Sequence, residues 1–338
     1  MHPEHDVSLK SLNTFGLPAV ARTLVRVSSE SEVRRLIDDP QLGLAPKLVL
    51  GGGSNVVFIR DVEPVVIKME IMGRRVVEER ADCWIVEAGA GENWHDFVAW
   101  TLDQGLPGLE NMALIPGTVG AAPVQNIGAY GVELADRFES VDNIDFMTGR
   151  TLVLGAQTCR FGYRDSIFKR ELAGKSVITR VRLRLPKPWI PVLGYLDLER
   201  KMAESGNYAP SARQIFDWVV AIRRAKLPDP AVIGNAGSFF KNPVVTEEQC
   251  RDIIGRDPEI VHYPLPDGTV KLAAGWLIDA CGWKGKSIGQ AGVYEKQALV
   301  LVNRGGAIGA EVVTLARAIQ ESVYGRFGIR LEPEPVVV

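Results

Sequence analysis

A serine lies between glycines and two aromatic residues in the stretch 234–243, which reads Gly-Asn-Ala-Gly-Ser-Phe-Phe-Lys-Asn-Pro. Glycines allow a ligand to come close to the backbone, and the rings of Phe239 and Phe240 can exclude water from the hydroxyl of Ser238. A Gly-rich loop that simply enters a strand is an equally good explanation. Chemistry at Ser238 is therefore one of two open interpretations on this stretch alone.

A phosphate-binding loop is predicted at Gly51-Gly52-Gly53-Ser54-Asn55, directly after the strand-like run Lys47–Leu50. Consecutive glycines expose bare backbone N–H groups in a concave loop, where a phosphate can sit. No Lys-Ser/Thr pair follows, and the next apolar run predicts a strand, so neither the Walker motif nor the dinucleotide fingerprint is present. A plain hairpin turn is the alternative, although three glycines exceed what a turn needs.

A second unusual stretch, Ile115–Gly131, contains small residues throughout and no charge. Such a stretch lets a large, flat ligand approach the main chain, with the amides of Gln125 and Asn126 as further hydrogen-bonding groups. Close packing between two chain segments is the alternative. Because two Gly-rich stretches of this kind occur, we favour a bound cofactor.

The elements that must position these stretches alternate between strands and helices. Apolar alternation predicts strands between Val65 and Val86 and over Val141–Thr148, Ser176–Leu185 and Gln297–Val302. Capping boxes or helical spacing predict helices after Ser29 and Thr246 and over Trp94–Leu102, Ile215–Ile222, Leu272–Cys281 and Val312–Val323. The Pro-rich segment that starts at Pro186 and the aperiodic chain up to Pro210 predict a domain boundary.

The composition is that of a globular protein in which acidic and basic residues nearly balance. Of 338 residues, 46% are hydrophobic, and 39 basic residues against 41 acidic ones leave a net charge of -2. No basic field exists to drive non-specific binding to nucleic acid. The four cysteines and four histidines form no spaced cluster, so we expect no metal site and no disulfide framework. Because neither a signal peptide nor a membrane-spanning run is present, we expect a reducing cytoplasm.

Two groups of cations have both a structural and a functional explanation. Arg164 follows Tyr163 in a predicted turn, where an exposed salt bridge is the ordinary role for an arginine. Arg223, Arg224 and Lys226 close a predicted helix, where they suit the negative end of its dipole. A phosphate clamp is the functional alternative for the second group.

Together these motifs resemble the UDP-N-acetylenolpyruvoylglucosamine reductases, also called UDP-N-acetylmuramate dehydrogenases, which are flavoenzymes that reduce a peptidoglycan precursor. The resemblance runs from Asn13–Gly16 to Leu331–Glu334 and is carried by four ordered motifs: Gly51–Asn55, Ile115–Gly131, Tyr163–Phe168 and Gly234–Pro243. Tyr195 and the segment Lys226–Pro230 resemble the subtype that has an extra tyrosine-bearing loop near the substrate.

The resemblance implies an α+β protein in which a vanillyl-alcohol-oxidase-type (PCMH-like), two-subdomain FAD-binding fold precedes a C-terminal α+β substrate-binding domain. Residues 1–71 and 72–206 would form the two FAD-binding subdomains, with FAD held between them. Residues 207–338 would close over the nucleotide sugar, and the last residues could return to the first subdomain. NADPH would give its hydride to FAD, and flavin N5 would pass it to C3 of the enolpyruvyl substrate. We expect a monomer that binds neither nucleic acid nor membrane.

The resemblance also assigns binding residues. FAD contacts fall on Gly51, Gly52, Gly53, Ser54, Asn55, Pro116, Gly117, Thr118, Gly120, Ala121, Gln125, Asn126, Gly128, Ala129, Tyr130 and Gly131. Contacts to the substrate, including its diphosphate and uridine parts, fall on Tyr163, Tyr195, Lys226, Asn242 and Gln297.

Three residues are implied to be catalytic. Hydride addition to the enol ether leaves charge at C2 that spreads into the adjacent carboxylate, so a cation must meet that carboxylate, and Arg164 is the candidate. Glu334 would support the enolate as a protonated acid, since burial near a second anion raises a carboxyl pKa. Ser238 would then protonate C2 as the general acid. The chain continues with Pro335 where the family usually has valine and arginine, so Glu332 is the second candidate for the acid.

Two other functions fit part of the sequence. A different flavin oxidoreductase on the same scaffold, such as an alcohol oxidase, would use the same Gly-rich stretches. A non-catalytic nucleotide-sugar or partner-binding module would need only one ligand site, and the two Gly-rich stretches argue against it.

Overall fold

The computed structural model describes residues 1–338, and the chain divides into two compact units. Unit 1 comprises Met1–Val7, Ala21–Gly53 and Val62–Ala225, whereas unit 2 comprises Ser8–Val20, Ser54–Asp61 and Lys226–Val338. Both units are assembled from separate stretches of the chain. The three-domain division predicted at residues 71/72 and 206/207 is a finer scheme and stays a prediction.

The strands in chain order are β1 Pro3–Ser8, β2 Val20–Val27, β3 Lys47–Leu50, β4 Val56–Val57, β5 Val65–Met69, β6 Arg74–Glu79, β7 Cys83–Gly89, β8 Gly128–Ala129, β9 Val132–Glu133, β10 Phe138–Asp145, β11 Thr151–Gly155, β12 Ser176–Pro186, β13 Asn235–Ser238, β14 Val244–Val245, β15 His262–Pro264, β16 Val270–Leu272, β17 Ser287–Ile288, β18 Ala291–Val293, β19 Val300–Asn303 and β20 Val336–Val337. The helices are α1 Glu30–Asp38, α2 Trp94–Asp103, α3 Ala156–Cys159, α4 Leu196–Ser205, α5 Ala212–Lys226, α6 Glu247–Arg256, α7 Ala274–Ala280 and α8 Gly309–Phe327. None of these helices has the length and apolar character needed to cross a membrane.

Unit 1 contains a four-stranded sheet in the order β1-β2-β5-β3, in which β2 and β3 both run parallel to β5. Helix α1 connects β2 to β3 and begins at Ser29, whose hydroxyl accepts the Glu32 N–H at 3.3 Å, as the capping signal predicts. Its Leu36 packs into one apolar core with Ile67 of β5. The glycine loop therefore follows a strand whose position is set by parallel pairing and a packed helix.

Unit 1 also contains an antiparallel sheet in the order β11-β10-β12-β7-β6. Alternation along β12 buries Val181 and Leu183 in a core shared with α2, whereas the arginines point to the other face. On that face the nearly buried Glu87 of β7 pairs with Arg182 at 2.7 Å. The alternation that predicts a strand over Ser176–Leu185 is thus confirmed, and β12 has one apolar face and one arginine face.

Unit 2 is built around helix α8 and short antiparallel sheets in the orders β13-β19-β18-β17 and β14-β16-β15. Leu315 and Ile319 of α8 pack into one core with Leu277 of α7 and Leu301 of β19. The chain end is fixed by parallel pairing of β20 with β4. The strand that carries the serine therefore lies on a packed sheet.

Four predicted elements differ from the structure. The predicted strand Val141–Thr148 starts earlier, at Phe138, and ends at Asp145, because residues 146–148 form a turn. The predicted strand Gln297–Val302 begins only at Val300, because Gln297 lies in a turn closed by the Val300 N–H to Gln297 carbonyl bond at 3.1 Å. The predicted helix from Leu272 begins at Ala274, since Leu272 pairs in β16. Helix α4 occupies part of the segment expected to be aperiodic, and because Leu198 is its only buried residue the helical pattern is weak.

Gly309 tests how tightly α8 is packed at its first turn. A Cβ at Gly309 would lie 1.9 Å from the Phe58 carbonyl oxygen, a distance that no side chain tolerates. We expect Gly309→Ala to lower the free energy of unfolding by about 1–3 kcal/mol, as overpacking does. Gly325 is the matched control, because it lies in the same helix with nothing within 4 Å of its Cβ position. In urea unfolding, Gly325→Ala should raise the free energy of unfolding by about 0.5–1 kcal/mol. If both substitutions raise this free energy, or both lower it, the close packing at Gly309 is contradicted.

Candidate functional site

The two Gly-rich stretches predicted from sequence meet within unit 1. A Cβ at Gly51 would lie 2.4 Å from the Thr118 hydroxyl, and a Cβ at Gly52 would lie 3.1 Å from the Cα of Gly117. Glycine is therefore required at these positions by close approach of the main chain. Two stretches that are far apart in sequence are therefore adjacent in the fold, and at their contact glycines take the place of side chains.

Thr118 provides evidence for a ligand at this surface. Its hydroxyl is buried and has no hydrogen-bond partner in the protein. Leaving such a group unpaired costs about 1–3 kcal/mol, so a ligand oxygen that accepts or donates here would be well placed. The glycine loop, which has no side chains to block a ligand, and this hydroxyl fit the phosphate-bearing cofactor expected from the sequence.

Lys68 adds a positive charge beside the first loop. It lies on the buried strand β5, and its ammonium donates to the Gly51 carbonyl oxygen. Burial lowers the pKa of Lys68, and Glu70 opposes that effect. The sequence analysis missed this residue, although a lysine inside the apolar run Val65–Met69 was a usable signal, because lysine is rarely buried without a reason.

Asn126, a predicted cofactor contact, is buried and uses its side chain within the protein. Its amide nitrogen donates to Glu133 at 2.9 Å and to the Gly162 carbonyl at 3.1 Å, and its oxygen accepts the Ala135 N–H at 2.9 Å. The residue itself adopts a left-handed conformation with φ of 46°. Asn126 therefore ties the second stretch to the turn that carries Arg164.

Arg164 lies against the second stretch and not only in an exposed turn. It has a φ of 54°, and its guanidinium donates to the Gly128 carbonyl at 3.0 Å. The guanidinium carbon also lies 5.3 Å from the centroid of the Tyr163 ring. The structure therefore brings a partly buried cation and an aromatic ring to the surface formed by the Gly-rich stretches.

Tyr195 contacts the same surface through Tyr130. Their rings meet edge to face with centroids 5.1 Å apart, and Tyr195 is 41% exposed. Asn111, which the sequence analysis did not single out, donates to the Tyr130 carbonyl and to the Val192 carbonyl, both at 2.8 Å. Its buried amide thus joins the second stretch to the segment that leads into Tyr195.

Ser238 lies at the end of β13 in unit 2, opposite Val300 of β19, after an irregularity in the pairing. Gly237 before it has a φ of 70° and donates its N–H to the Asn235 side chain at 2.9 Å. The next two residues, Phe239 and Phe240, are fully buried. The hydroxyl therefore belongs to a partly exposed residue at the end of an edge strand, followed directly by two buried aromatic residues.

The two candidate acids near the chain end have different environments. The Glu334 N–H donates to the Phe239 carbonyl at 2.8 Å, so Glu334 pairs with the residue next to Ser238, and it is only 8% exposed. Glu332 has a side chain that is 72% exposed and forms an ion pair with Lys241 at 2.9 Å. Of the two acids, Glu334 is therefore buried and Glu332 is an ordinary exposed surface acid.

Asn242 and Gln297 converge on the first turn of α7. The Asn242 side-chain oxygen accepts the Ala274 N–H at 2.9 Å. A Cβ at Gly275 would lie 2.8 Å from the Gln297 side-chain oxygen. Lys226, the other predicted diphosphate contact, is exposed at the end of α5. Two of the predicted substrate residues are therefore neighbours in unit 2.

His95 supports the start of the second stretch. Its Nδ1 accepts the N–H of Leu114, which has a φ of 57°, at 3.1 Å. Its ring stacks on Phe216 of α5 with centroids 5.2 Å apart and an angle of 7°. Accepting at Nδ1 requires the tautomer with its proton on Nε2. The sequence analysis gave His95 no specific role, because Leu114 and Phe216 are distant from it in sequence.

Comparisons with known proteins agree with this geometry. Residues 21–155 match the family model described as an FAD binding domain, and residues 229–338 match that of the UDP-N-acetylenolpyruvoylglucosamine reductase C-terminal domain. The fold is thus that of an FAD-binding oxidoreductase, with the PCMH-like region followed by a substrate domain, as the sequence predicts.

Relatives that align with nearly the whole chain show which family it belongs to. The chain is 58% identical over 336 residues to the UDP-N-acetylenolpyruvoylglucosamine reductase of Burkholderia orbicola (strain MC0-3), covering 99% of this chain and 96% of the relative. It is 59% identical over 337 residues to the protein of that name from Azoarcus sp. (strain BH72), covering 98% and 97%. The crystal structure of UDP-N-acetylenolpyruvylglucosamine reductase from Thermus caldophilus superimposes with a TM-score of 0.70 at 26% identity, covering 100% of this chain and 99% of that one. The chain belongs to the UDP-N-acetylenolpyruvoylglucosamine reductase family.

His95 makes the stability of this region depend on pH. Its pKa is lowered from the ordinary value of 6.5, mainly by burial and further by Arg224 and Arg223, whereas Asp96 opposes the shift. Between 6.5 and the lower folded pKa the unfolded chain binds more protons, so the free energy of unfolding falls as the pH falls through this window. We expect His95→Asn, which keeps an acceptor and has no titratable group, to lose this part of the pH dependence.

The measurement is urea unfolding of both proteins at about pH 7.5 and about pH 5.5, on either side of the ordinary imidazole pKa. Between the higher and the lower pH, the unaltered protein should lose more of its free energy of unfolding than His95→Asn does. An NMR titration that gives His95 a pKa at or above 6.5 would contradict the assignment.

Proposed function

We propose that this protein catalyses the NADPH-dependent, FAD-mediated reduction of UDP-N-acetylglucosamine enolpyruvate to UDP-N-acetylmuramate, an oxidoreductase reaction of peptidoglycan precursor synthesis. The observation that carries the proposal is identity of 58% over 99% of the chain to a UDP-N-acetylenolpyruvoylglucosamine reductase. The surface formed by the two Gly-rich stretches, with the cation Arg164 against it, supports the same conclusion.

FAD, when bound, supplies the redox chemistry that takes up a hydride from NADPH and releases it to the enolpyruvyl group. The residues that would hold it are the backbone of Gly51–Asn55 and of Ile115–Gly131, together with the Thr118 hydroxyl. Lys68 supplies positive charge beside the first loop, which suits a diphosphate. Asn126 contributes by fixing the loop, since its side chain is already bonded within the protein.

Arg164 is proposed to bind the carboxylate of the enolpyruvyl group. Negative charge that develops at C2 spreads into this carboxylate, so a fixed guanidinium stabilises the transition state more than the substrate. The bond from Arg164 to the Gly128 carbonyl holds the guanidinium in place before substrate arrives. Tyr163 and Tyr195 are proposed to line the substrate near this cation.

Ser238 is proposed to donate the proton to C2, and Glu334 to support the enolate as its protonated form. A serine hydroxyl is a weak acid, but a carbanion at C2 is basic enough to take its proton. Glu334 is nearly buried and its backbone pairs with the residue that follows Ser238, which supports a role beside the serine. Lys226, Asn242 and Gln297 are proposed to bind the diphosphate and uridine parts of the substrate.

An alcohol oxidase activity on the same scaffold is not favoured, since the full-length relatives have the name of the reductase and the C-terminal domain model is specific to it. We further propose that the protein acts as a monomer in the cytoplasm. Its four cysteines are all free, which suits a reducing compartment.

The function is tested by visible spectra of the purified protein, recorded alone, after NADPH and after the enolpyruvyl nucleotide. We expect flavin absorbance that NADPH bleaches and the nucleotide restores. Ser238→Ala should bleach normally with NADPH and then restore its absorbance about 10²–10⁴-fold more slowly, because only the proton donor is missing.

Ser287→Ala is the control, since Ser287 is an exposed serine on the same sheet. It should behave as the unaltered protein in both half-reactions. Protein without flavin absorbance after incubation with FAD argues against the whole proposal, whereas loss of both half-reactions in Ser238→Ala would mean that the serine has a structural role.

The identity of the terminal acid is tested by Glu334→Ala and Glu332→Ala. Loss of the buried donor at Glu334 should slow reduction of the nucleotide about 10²–10³-fold, as the loss of one charge-stabilising donor does, and leave the NADPH step unchanged. Glu332→Ala should change neither step, because its exposed ion pair with Lys241 contributes at most about 1 kcal/mol to stability. A slow Glu332→Ala enzyme beside a normal Glu334→Ala enzyme would reverse the assignment.

A further inference from the structure

The start of helix α2 holds residues 112–119, which include three of the predicted FAD contacts. The Glu92 carbonyl, just before the helix, accepts the Val119 N–H at 2.9 Å, and the Trp94 N–H donates to the Gly117 carbonyl at 3.1 Å. The indole N–H of Trp94 donates to a further backbone carbonyl of the segment at 2.9 Å. The few residues that begin α2 therefore set the position of this segment.

His95 adds to these contacts the one acceptor that titrates near neutral pH. Its Nδ1 accepts the Leu114 N–H at 3.1 Å, so the imidazole must be neutral to make the bond. Protonation would place an N–H opposite the Leu114 N–H, and an attractive contact would become a repulsive one. The other contacts join backbone and indole groups, which do not change their protonation at physiological pH.

Leu114 has a backbone conformation that depends on such contacts. Its φ of 57° lies in the left-handed region, which is unfavourable for leucine and persists only where the surroundings hold it. Its N–H bonds His95, and its carbonyl accepts the Arg223 Nε–H at 3.3 Å. Loss of the His95 bond therefore leaves a strained peptide held on one side only, directly before residues 115–118.

The surroundings of the His95 ring favour its neutral form near pH 7. Burial is the largest effect and lowers the pKa of His95, and among the neighbouring charges Asp96 raises it whereas Arg224 and Arg223 lower it. The charged and titratable groups around the ring are Asp96 and Asp103 of α2, Arg74 of β6, Arg213, Arg223 and Arg224 of α5, and Tyr130, which bonds Arg223. Residues 112–119 themselves carry no charge.

We propose that His95 is a positioning residue for FAD binding: its neutral imidazole fixes Leu114, and with it residues 115–118, so that the protein holds FAD less tightly in acid. This inference rests on the proposed function, which requires FAD at this segment. FAD binds the arrangement in which residues 117 and 118 lie against Gly51 and Gly52, and its apparent dissociation constant rises as that arrangement becomes less populated. A proton on His95 and FAD on the segment thus oppose each other's binding.

The experiment measures FAD release from the FAD-loaded, full-length protein as the concentration of FAD that passes an ultrafiltration membrane after dilution. Measurements run from about pH 7.5 to about pH 5.0, across the ordinary imidazole pKa. The dissociation constant of the unaltered protein should stay constant above the pKa of His95 and rise by up to about tenfold for each pH unit below it, as linkage to one proton requires. FAD has no group that titrates in this range. Circular dichroism at each pH defines the range in which the chain stays folded, and the constants are compared within it.

Three variants separate this role from a purely structural one. His95→Asn keeps an acceptor near the Nδ1 position but cannot titrate, so its dissociation constant should lose the rise in acid. His95→Leu has no acceptor, so at the highest pH it should bind FAD at least about fivefold more weakly than His95→Asn, again without pH dependence. His262→Asn is the control, because His262 is an exposed histidine of β15 in unit 2, and this variant should keep the full pH dependence.

The proposal is overturned if His95→Asn releases FAD in acid as the unaltered protein does, because another group would then be the one that titrates. It is also overturned if a folded His95→Leu binds FAD as tightly as His95→Asn at the highest pH, since Leu114 would then not need the acceptor. Failure of the proposed function is recognised separately, as an unaltered protein that binds no FAD even at the highest pH.

Discussion

Close approach of the main chain at Gly51, Gly52 and Gly117 is the constraint on which the rest of unit 1 depends. A methyl group at either of the first two positions would occupy space held by Thr118 or Gly117. Only glycine satisfies this contact, and its lack of a side chain lets a ligand come close to the backbone where the strands β3 and β5 end their parallel pairing. The packed sheet and helix α1 thus serve to hold a surface that has almost no side chains of its own.

The polar residues around this surface are connected to each other through the second stretch. Asn126 holds the turn of Arg164, Asn111 holds Tyr130, and Arg223 contacts both ends of the stretch. Such buried polar contacts are weak evidence for stability, because their desolvation cost offsets much of their attraction. They are better understood as a means of fixing the positions of charges before a ligand arrives.

In unit 2, backbone pairing between distant segments fixes the positions of Ser238 and Glu334. Here antiparallel contacts bring the chain end, residues 332–334, beside residues 239–241, so that Glu334 pairs next to the serine-bearing strand. The pairing of β20 with β4 then anchors the chain beyond this acid. Glu332 and Glu334 are two residues apart, a spacing that places both side chains on the same face of a regular strand, so the irregular chain around the isolated bridge at Pro333 is what lets Glu334 be buried while Glu332 is exposed.

Local signals in the sequence determined the elements and the motifs. Capping residues such as Ser29 and Thr246, the apolar spacing of α2 and α8, and the alternation of β12 act over a few residues, so they could be recognised without the fold. The charge-free and Gly-rich stretches were recognised for the same reason.

Only the tertiary structure decided which partners these residues meet. The burial of Glu334 depends on its contact with residues 239–241, and the bonds of Asn126 and Asn111 join segments that are distant in sequence, so no local pattern records either feature.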